Sequence, residues 1–329
     1  MSAVTAPADQ ASWRDRLAER PFVALFGVFA VLYLVTGIRD HGLFTENGLR
    51  AVLLLTCPLA IFGAAETLCM LTGGISLSVT MTANLAAYVA ASKSHLGTVP
   101  AIGLALAVGV AVGLVNGLGI GVFKVNPLIM TLGMSSVLLG ITTVGLVGNG
   151  FLAGTTQILP VVTRISTGTL VGPIPSNAVV LAVIAVLLIW GLGRTGIGRL
   201  IYAIGDNTTA SRLAGVKLWQ VVIAVYIGTE LLAAVAGLLY SGISGGVAPD
   251  QTNSYLLTAI AAAVLGGTSI FGGQGGYAGT ILGALSLTVL DRLLTSLNTS
   301  DAVRQVVYGL VVLLLAWLYA RVTGRRLLS

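Results

Sequence analysis

Residues Leu49–Leu71 read LRAVLLLTCPLAIFGAAETLCML. Charge is confined to Arg50, near the start, and Glu66, about two thirds of the way along. A bilayer core about 30 Å thick is crossed by about 20 apolar residues wound as helix, so this run reads as a membrane span. Nine more runs of similar character accompany it. In chain order the ten are 21–38, 49–71, 77–93, 99–122, 128–147, 178–193, 218–240, 254–267, 277–294 and 302–320. The third and the eighth are expected to be broken or partly re-entrant. Irregular backbone at membrane depth is tolerated only where it is buried in protein or lines a cavity.

Composition agrees with that reading. Of 329 residues, 56% are hydrophobic and 9% charged, and the mean hydropathy is +0.98. A typical soluble domain carries about 25% charge. So few charges do not cover the surface of a water-soluble globule. The 43 glycines have no collagen period and suit closely packed membrane helices. A soluble enzyme, a nucleic-acid binder and a secreted disulfide scaffold all fit poorly. The net charge of +6 is spread over short segments between apolar runs, not gathered on one basic face. Cys57 and Cys69 share one run, and twelve residues of helix hold them roughly 18 Å apart, beyond disulfide reach. His41 and His95 are isolated, so no metal site is expected.

Lysine and arginine set the orientation. With ten spans both termini lie on one side, together with 11 of the 17 basic residues: Arg14, Arg16, Arg20, Lys124, Arg194, Arg199, Arg212, Lys217, Arg321, Arg325 and Arg326. The remaining six lie on the other. The positive-inside rule then makes both termini cytoplasmic. The chain divides into a cytoplasmic segment 1–20, one transmembrane domain 21–320 and a cytoplasmic tail 321–329. Two loops are long: 148–177, outside the membrane on the far face, and 194–217, on the cytoplasmic face.

Polar residues inside spans are the candidate machinery. A charge at the centre of a span costs about 2.5–3.5 kcal/mol on insertion scales, so Glu66 and Glu230 must face protein, water or a partner, or be protonated. Each reads either as a pathway residue or as a helix–helix hydrogen-bonding group. Asn84, in the small-residue run Thr82–Ala87, has an amide suited to a hydroxyl-rich ligand or to a neighbouring helix. Asn116, beside Gly117, reads as a packing residue. In the 194–217 loop, Asn207 is placed to cap a short helix and Gly215 to end it. Ala210, Leu213 and Ala214 form its apolar side. A helix of about two turns is not stable alone, so it needs something to dock into.

Enzymatic signatures are missing. The lysines are Lys93, Lys124 and Lys217, and none stands in a phosphate-binding G-x-x-x-x-G-K-[ST] loop. There is no Cys/His zinc spacing and no H-E-x-x-H. The chain is therefore expected to hold no cofactor and no catalytic site of its own.

Several stretches together resemble one family. Glu66 to Ser78 resembles the T-G-G-I-D-L-S region of bacterial ABC-importer permeases of the ribose/xylose/arabinose type. Thr195–Arg199 through Gly215 resembles their main cytoplasmic loop. Ala261–Ser269, with Gly272, Gly273, Gly279 and Thr280, resembles their late A-x-V-L-G-G-T-S segment. Val115-Asn116-Gly117 and Pro127–Gly133 match as well. The order is the family's, from about Cys57 to Leu294. One position departs: Ser76 stands where the motif has its aspartate.

The resemblance implies an all-α polytopic, type II-like importer permease in the bacterial inner membrane. It implies a second permease chain, a cytoplasmic ATPase that binds ATP and Mg, and an extracytoplasmic sugar-binding protein. Residues 207–215, with Asn207, Ala210, Arg212, Leu213, Ala214 and Gly215, become the coupling helix to the ATPase. Glu66, Asn84 and Glu230 become candidates for the translocation pathway. The alternatives are a permease for branched-chain amino acids or another small polar solute, a self-sufficient secondary transporter, or a membrane scaffold that moves nothing.

Overall fold

A computed structural model describes residues 21–147, 150–152, 158–300, 302–311 and 313. The expected segments 1–20 and 321–329, and the end of the tenth expected span, lie outside the described residues. The helices are α1 (Pro21–Arg39), α2 (Glu46–Leu71), α3 (Val79–Ser92), α4 (Thr98–Gly121), α5 (Pro127–Leu146), α6 (Pro160–Thr167), α7 (Asn177–Arg194), α8 (Gly196–Asp206), α9 (Thr208–Leu213), α10 (Leu218–Ser244), α11 (Tyr255–Leu265) and α12 (Tyr277–Ser296), with a shorter apolar helix α13 (Ala302–Val311) after them. Two short strands, β1 (Thr169–Val171) and β2 (Ile174–Pro175), pair antiparallel between α6 and α7.

Among the described residues six helices, α2, α4, α5, α7, α10 and α12, are long and apolar enough to cross a membrane. Their burial sorts them. In α2, 83% of the apolar stretch is buried inside the chain; in α7 the share is 11%. The core is thus α2 and α10, packed on each other and on α3, α4, α11 and α12, with α5 and α7 outside. The outer helices expose Ile129, Val144, Val186 and Leu187. Such a surface suits hydrocarbon.

The third and eighth expected spans are short helices. α3 has 14 residues and α11 has 11, about 21 and 16 Å at 1.5 Å per residue. Each adjoins irregular backbone, at 72–78 and at 266–276, where the glycines and hydroxyl residues interrupt the helix. The 148–177 loop carries α6 and the β1–β2 hairpin. Arg50 Nη2 holds it by donating to Thr167 O at 2.7 Å.

Two local solutions show how buried backbone is satisfied. Pro58 lies inside α2 and has no N–H for the carbonyl of Leu54. Asn177 Nδ2 donates to that carbonyl at 3.0 Å. An unpaired buried carbonyl costs several kcal/mol in lipid, so this single amide permits the proline. The second is a glycine ladder. A Cβ on Gly109 would lie 2.6 Å from the carbonyl oxygen of Glu230; on Gly113, 2.5 Å from the Cα of Ile227; on Gly117, 2.7 Å from the Cα of Ile223. The spacing of four keeps all three on one face of α4, so α10 runs antiparallel along it, backbone against backbone.

Candidate functional site

The glycine ladder sets the depth at which α4 and α10 meet, and there the polar residues of four elements converge. Glu66 on α2 and Glu230 on α10 are both fully buried, as are Ser76, Ser78 and Asn116. Glu230 Oε1 accepts three hydrogen bonds: from Ser78 Oγ at 2.6 Å, Ser76 Oγ at 2.8 Å and Asn116 Nδ2 at 3.2 Å. Asn116 Nδ2 also donates to Ser78 Oγ at 2.9 Å. Glu66 Oε2 accepts one longer bond, from the backbone N–H of Ser76 at 3.4 Å. Residue 76 is therefore held twice, by its backbone to α2 and by its side chain to α10. Leu77 N donates to Thr131 Oγ1 at 3.0 Å, which ties the same loop to α5.

Neighbouring contacts lock α2 to α10. Thr229 Oγ1 donates to Ala65 O at 3.2 Å, and Cys69 Sγ lies 3.2 Å from Thr229 Oγ1. Both cysteines are free and buried. Among the described residues no group of three or more His, Cys, Asp or Glu side chains gathers in one place.

Asn84 stands apart from the carboxylates. Its Nδ2 donates to Pro249 O at 2.9 Å, and its Oδ1 accepts from Thr252 Oγ1 at 2.8 Å. Both ends of the amide are thus engaged with the segment that follows α10. Asn116, read from sequence as a packing residue, donates from α4 to the Glu230 carboxylate on α10. Nothing local in the sequence marks Ser78 and Ser76 as partners of Glu230, which lies 152 and 154 positions away.

The 194–217 loop holds two helices where one was expected. Asn207 caps the second: its Oδ1 accepts from Ala210 N at 2.9 Å. Gly215 follows at φ +83°, a left-handed conformation suited to glycine. Between them α9 turns only Ser211 inward, with Ser211 Oγ donating to Ala203 O at 2.9 Å. Ala210, Arg212, Leu213 and Ala214 are exposed, Leu213 at 83%. The additional helix, α8, is capped by Thr195, whose Oγ1 accepts from Gly198 N at 3.1 Å. It buries Ile201 and Ile204 against the ends of α2, α7 and α10. Near its end Gly205 lies against the carbonyl of Leu71 and the backbone of Gly273, and Gly273 N donates to Leu71 O at 3.0 Å. The exposed helix is therefore one short step of backbone contact from the loop that carries Ser76.

A bundle of apolar helices with a buried polar junction, and a small exposed helix linked to it, defines a multi-pass membrane protein of the transport class. Residues 48–316 match the family described as the permease component of branched-chain amino acid transport systems, and the chain belongs to that family. It is 35% identical over 286 residues to the ribose import permease protein of Escherichia coli K12, covering 86% of this chain and 89% of that one. The ribose import permease protein of Bacillus subtilis is 33% identical over 298 residues (89% and 90%), and the fructose import permease protein of Rhizobium meliloti 29% over 308 (89% and 82%). No solved structure matches the chain. A multi-pass permease of this family resides in the bacterial inner membrane.

Proposed function

We propose that this chain is the membrane-spanning subunit of an ATP-binding-cassette importer that moves a monosaccharide delivered by an extracytoplasmic binding protein. The observation that carries the mechanism is α9. It is six residues long, too short to be stable by itself, yet it is capped at both ends and presents Ala210, Leu213 and Ala214 outward. Such a surface fits a groove on a cytoplasmic ATPase, with Asn207 and Gly215 fixing its ends and Arg212 beside it. The sugar relatives support the substrate class. Although the family description names branched-chain amino acids, the relatives reported above are named for ribose and fructose.

The reading extends to topology and partners. Ten spans with both termini cytoplasmic make 21–320 one permease domain, 1–20 and 321–329 its cytoplasmic ends, and 194–217 the coupling loop. Two permease chains, identical or related, enclose the passage. The ATPase holds ATP and Mg, and this chain holds neither. Glu66 and Glu230 then sit where the loop before α3 meets α10, at a junction that the coupling loop reaches through Gly205. ATP binding favours one of two arrangements of that junction through differential contacts.

The test is reconstitution with a cognate ATPase and binding protein. ATP-dependent uptake of D-ribose or D-fructose is expected. Leu213→Asp combined with Ala214→Asp should abolish co-purification of the ATPase and leave membrane abundance unchanged. Unchanged co-purification would refute the coupling assignment, and uptake without the ATPase would refute the importer reading.

A further inference from the structure

Helices α2, α10, α11, α12 and α13 surround a cavity of about 390 Å³ at one end of the bundle. It is the end that carries the 148–177 loop, since Gly242 near the end of α10 lies against Ser166 of α6. In the importer orientation this is the extracytoplasmic end. The volume falls at the small end of the range of about 300–1,000 Å³ for small-molecule sites, so it suits one small solute. We propose that the cavity is a receiving site for one monosaccharide released by the binding protein, an assignment that rests on the importer reading above.

Three features carry this. The first is an aromatic corner. Tyr240 and Tyr255 meet edge to face, with ring centroids 5.0 Å apart at 67°, and Phe62 backs Tyr255 at 5.4 Å. Rings held this way offer a rigid apolar surface to the C–H face of a sugar, and little side-chain freedom is left to lose.

The second is the polar set. Asp291 Oδ1 accepts from Tyr308 Oη at 2.8 Å and faces Arg304 Nη1 at 3.5 Å. The hydroxyls of Tyr240 and Tyr255 and the side-chain amide of Gln305 also line the cavity, and none of the three forms a hydrogen bond among the described residues. A sugar hydroxyl both donates and accepts, so a sugar needs acceptors and donors on one wall. The carboxylate supplies the first, the guanidinium the second, and the amide and the phenols either.

The third is placement. Asp291 and Arg304 stand within the expected spans 277–294 and 302–320, where ionisable side chains are costly and mark solute pathways. This pair lines open space on two sides. A second cavity, of about 320 Å³ and bordered by Asp40 and Arg292, shares Leu55, Thr288 and Asp291 with the first. Asp40 and Arg292 are about a quarter exposed, which puts a surface approach beside Asp291. Deeper along α2 and α12 the cavity is lined by the buried Leu59 and Leu287. The site therefore holds the solute at the outer end of the chain, away from the Glu230 junction.

The experiment is protection of a single thiol by sugar. Ser254 lines the cavity and is exposed, whereas Cys57 and Cys69 are buried, so Ser254→Cys provides one reactive position. The full chain in lipid nanodiscs is labelled with a maleimide. D-ribose or D-fructose should slow the labelling severalfold, and L-leucine should not. In the same background, Tyr255→Phe and Gln305→Leu each delete a polar group that leaves no partner behind, so both should accumulate normally. Each should raise the sugar concentration for half-protection about fivefold, the scale of one lost hydrogen bond. Absence of protection by both sugars, equal protection by L-leucine, or half-protection unchanged in both variants overturns the site. ATP-dependent uptake by the assembled complex is measured alongside. Uptake without protection overturns the site and leaves the importer reading standing; protection without uptake supports the site and overturns that reading.

Discussion

Asp40 shows how much one exposed-looking loop residue holds. Its Oδ2 accepts from Arg292 Nε at 2.8 Å and its Oδ1 from Gly42 N at 2.9 Å, while Arg292 Nη1 donates to Gly48 O at 3.1 Å. The turn between α1 and α2 is thereby fastened to α12. The hydrogen bond from Arg292 is the main reason that the Asp40 carboxyl is held below the ordinary aspartate value of 3.8. A depressed folded value means that the pair stabilises the fold above pH 3.8 and stops doing so as the pH falls through the folded value. Both side chains are about a quarter exposed, so solvent screening keeps the effect to about 1 kcal/mol or less. Asp40→Asn should therefore lower the melting temperature of the purified protein slightly at pH 7, and the gap to wild type should close on acidification. A gap that widens in acid would contradict the assignment. At this scale the sequence marks Glu66 and Glu230 clearly, because lone acids in apolar runs stand out. It does not reveal that both meet at Ser76. The contacts join distant spans, and the donors are two serines and an amide that look like ordinary turn and packing residues.

At the scale of elements, the long apolar helices are the most legible, since length and apolarity suffice to find α2, α4, α5, α7, α10 and α12. What pattern conceals is α8. Its Gly196, Gly198 and Gly205 lower helix propensity, yet Ile201 and Ile204 bury one face and Gly205 admits the backbone of Leu71 and Gly273. Glycine here signals close approach, as it does along α4. The ladder yields a direct prediction. Gly113→Val would drive a branched side chain into the backbone of α10 and should remove most folded protein from the membrane, since overpacking against main chain has little room to relax. Gly103→Val on the same helix meets no atom within 4 Å and should accumulate normally. Equal abundance of the two variants would disprove the tight α4–α10 crossing.

For the whole molecule, the number of crossings decides on which face each loop sits. Among the described residues six helices reach membrane length, and the short α3 and α11 each adjoin irregular backbone, at 72–78 with Ser76 and Ser78 buried and at 266–276 with Thr268 and Ser269 buried. The ten-run reading counts these together with α1 and the tenth run as crossings. The even count is supported by charge, because an odd one would place the basic ends on opposite faces against the positive-inside bias. The molecule offers its own test of this arrangement. Cys57 and Cys69 are buried, so a membrane-impermeant thiol reagent should find little background. Thr169 on β1 and Ala214 after α9 are both exposed. Between them lies α7, which is long and apolar enough to cross a membrane. Thr169→Cys should react in intact cells and Ala214→Cys only in inverted vesicles. Reaction of both from one face would mean that α7 does not cross. It would also move α9 away from any cytoplasmic ATPase, so this labelling result bears on the topology and on the coupling assignment together.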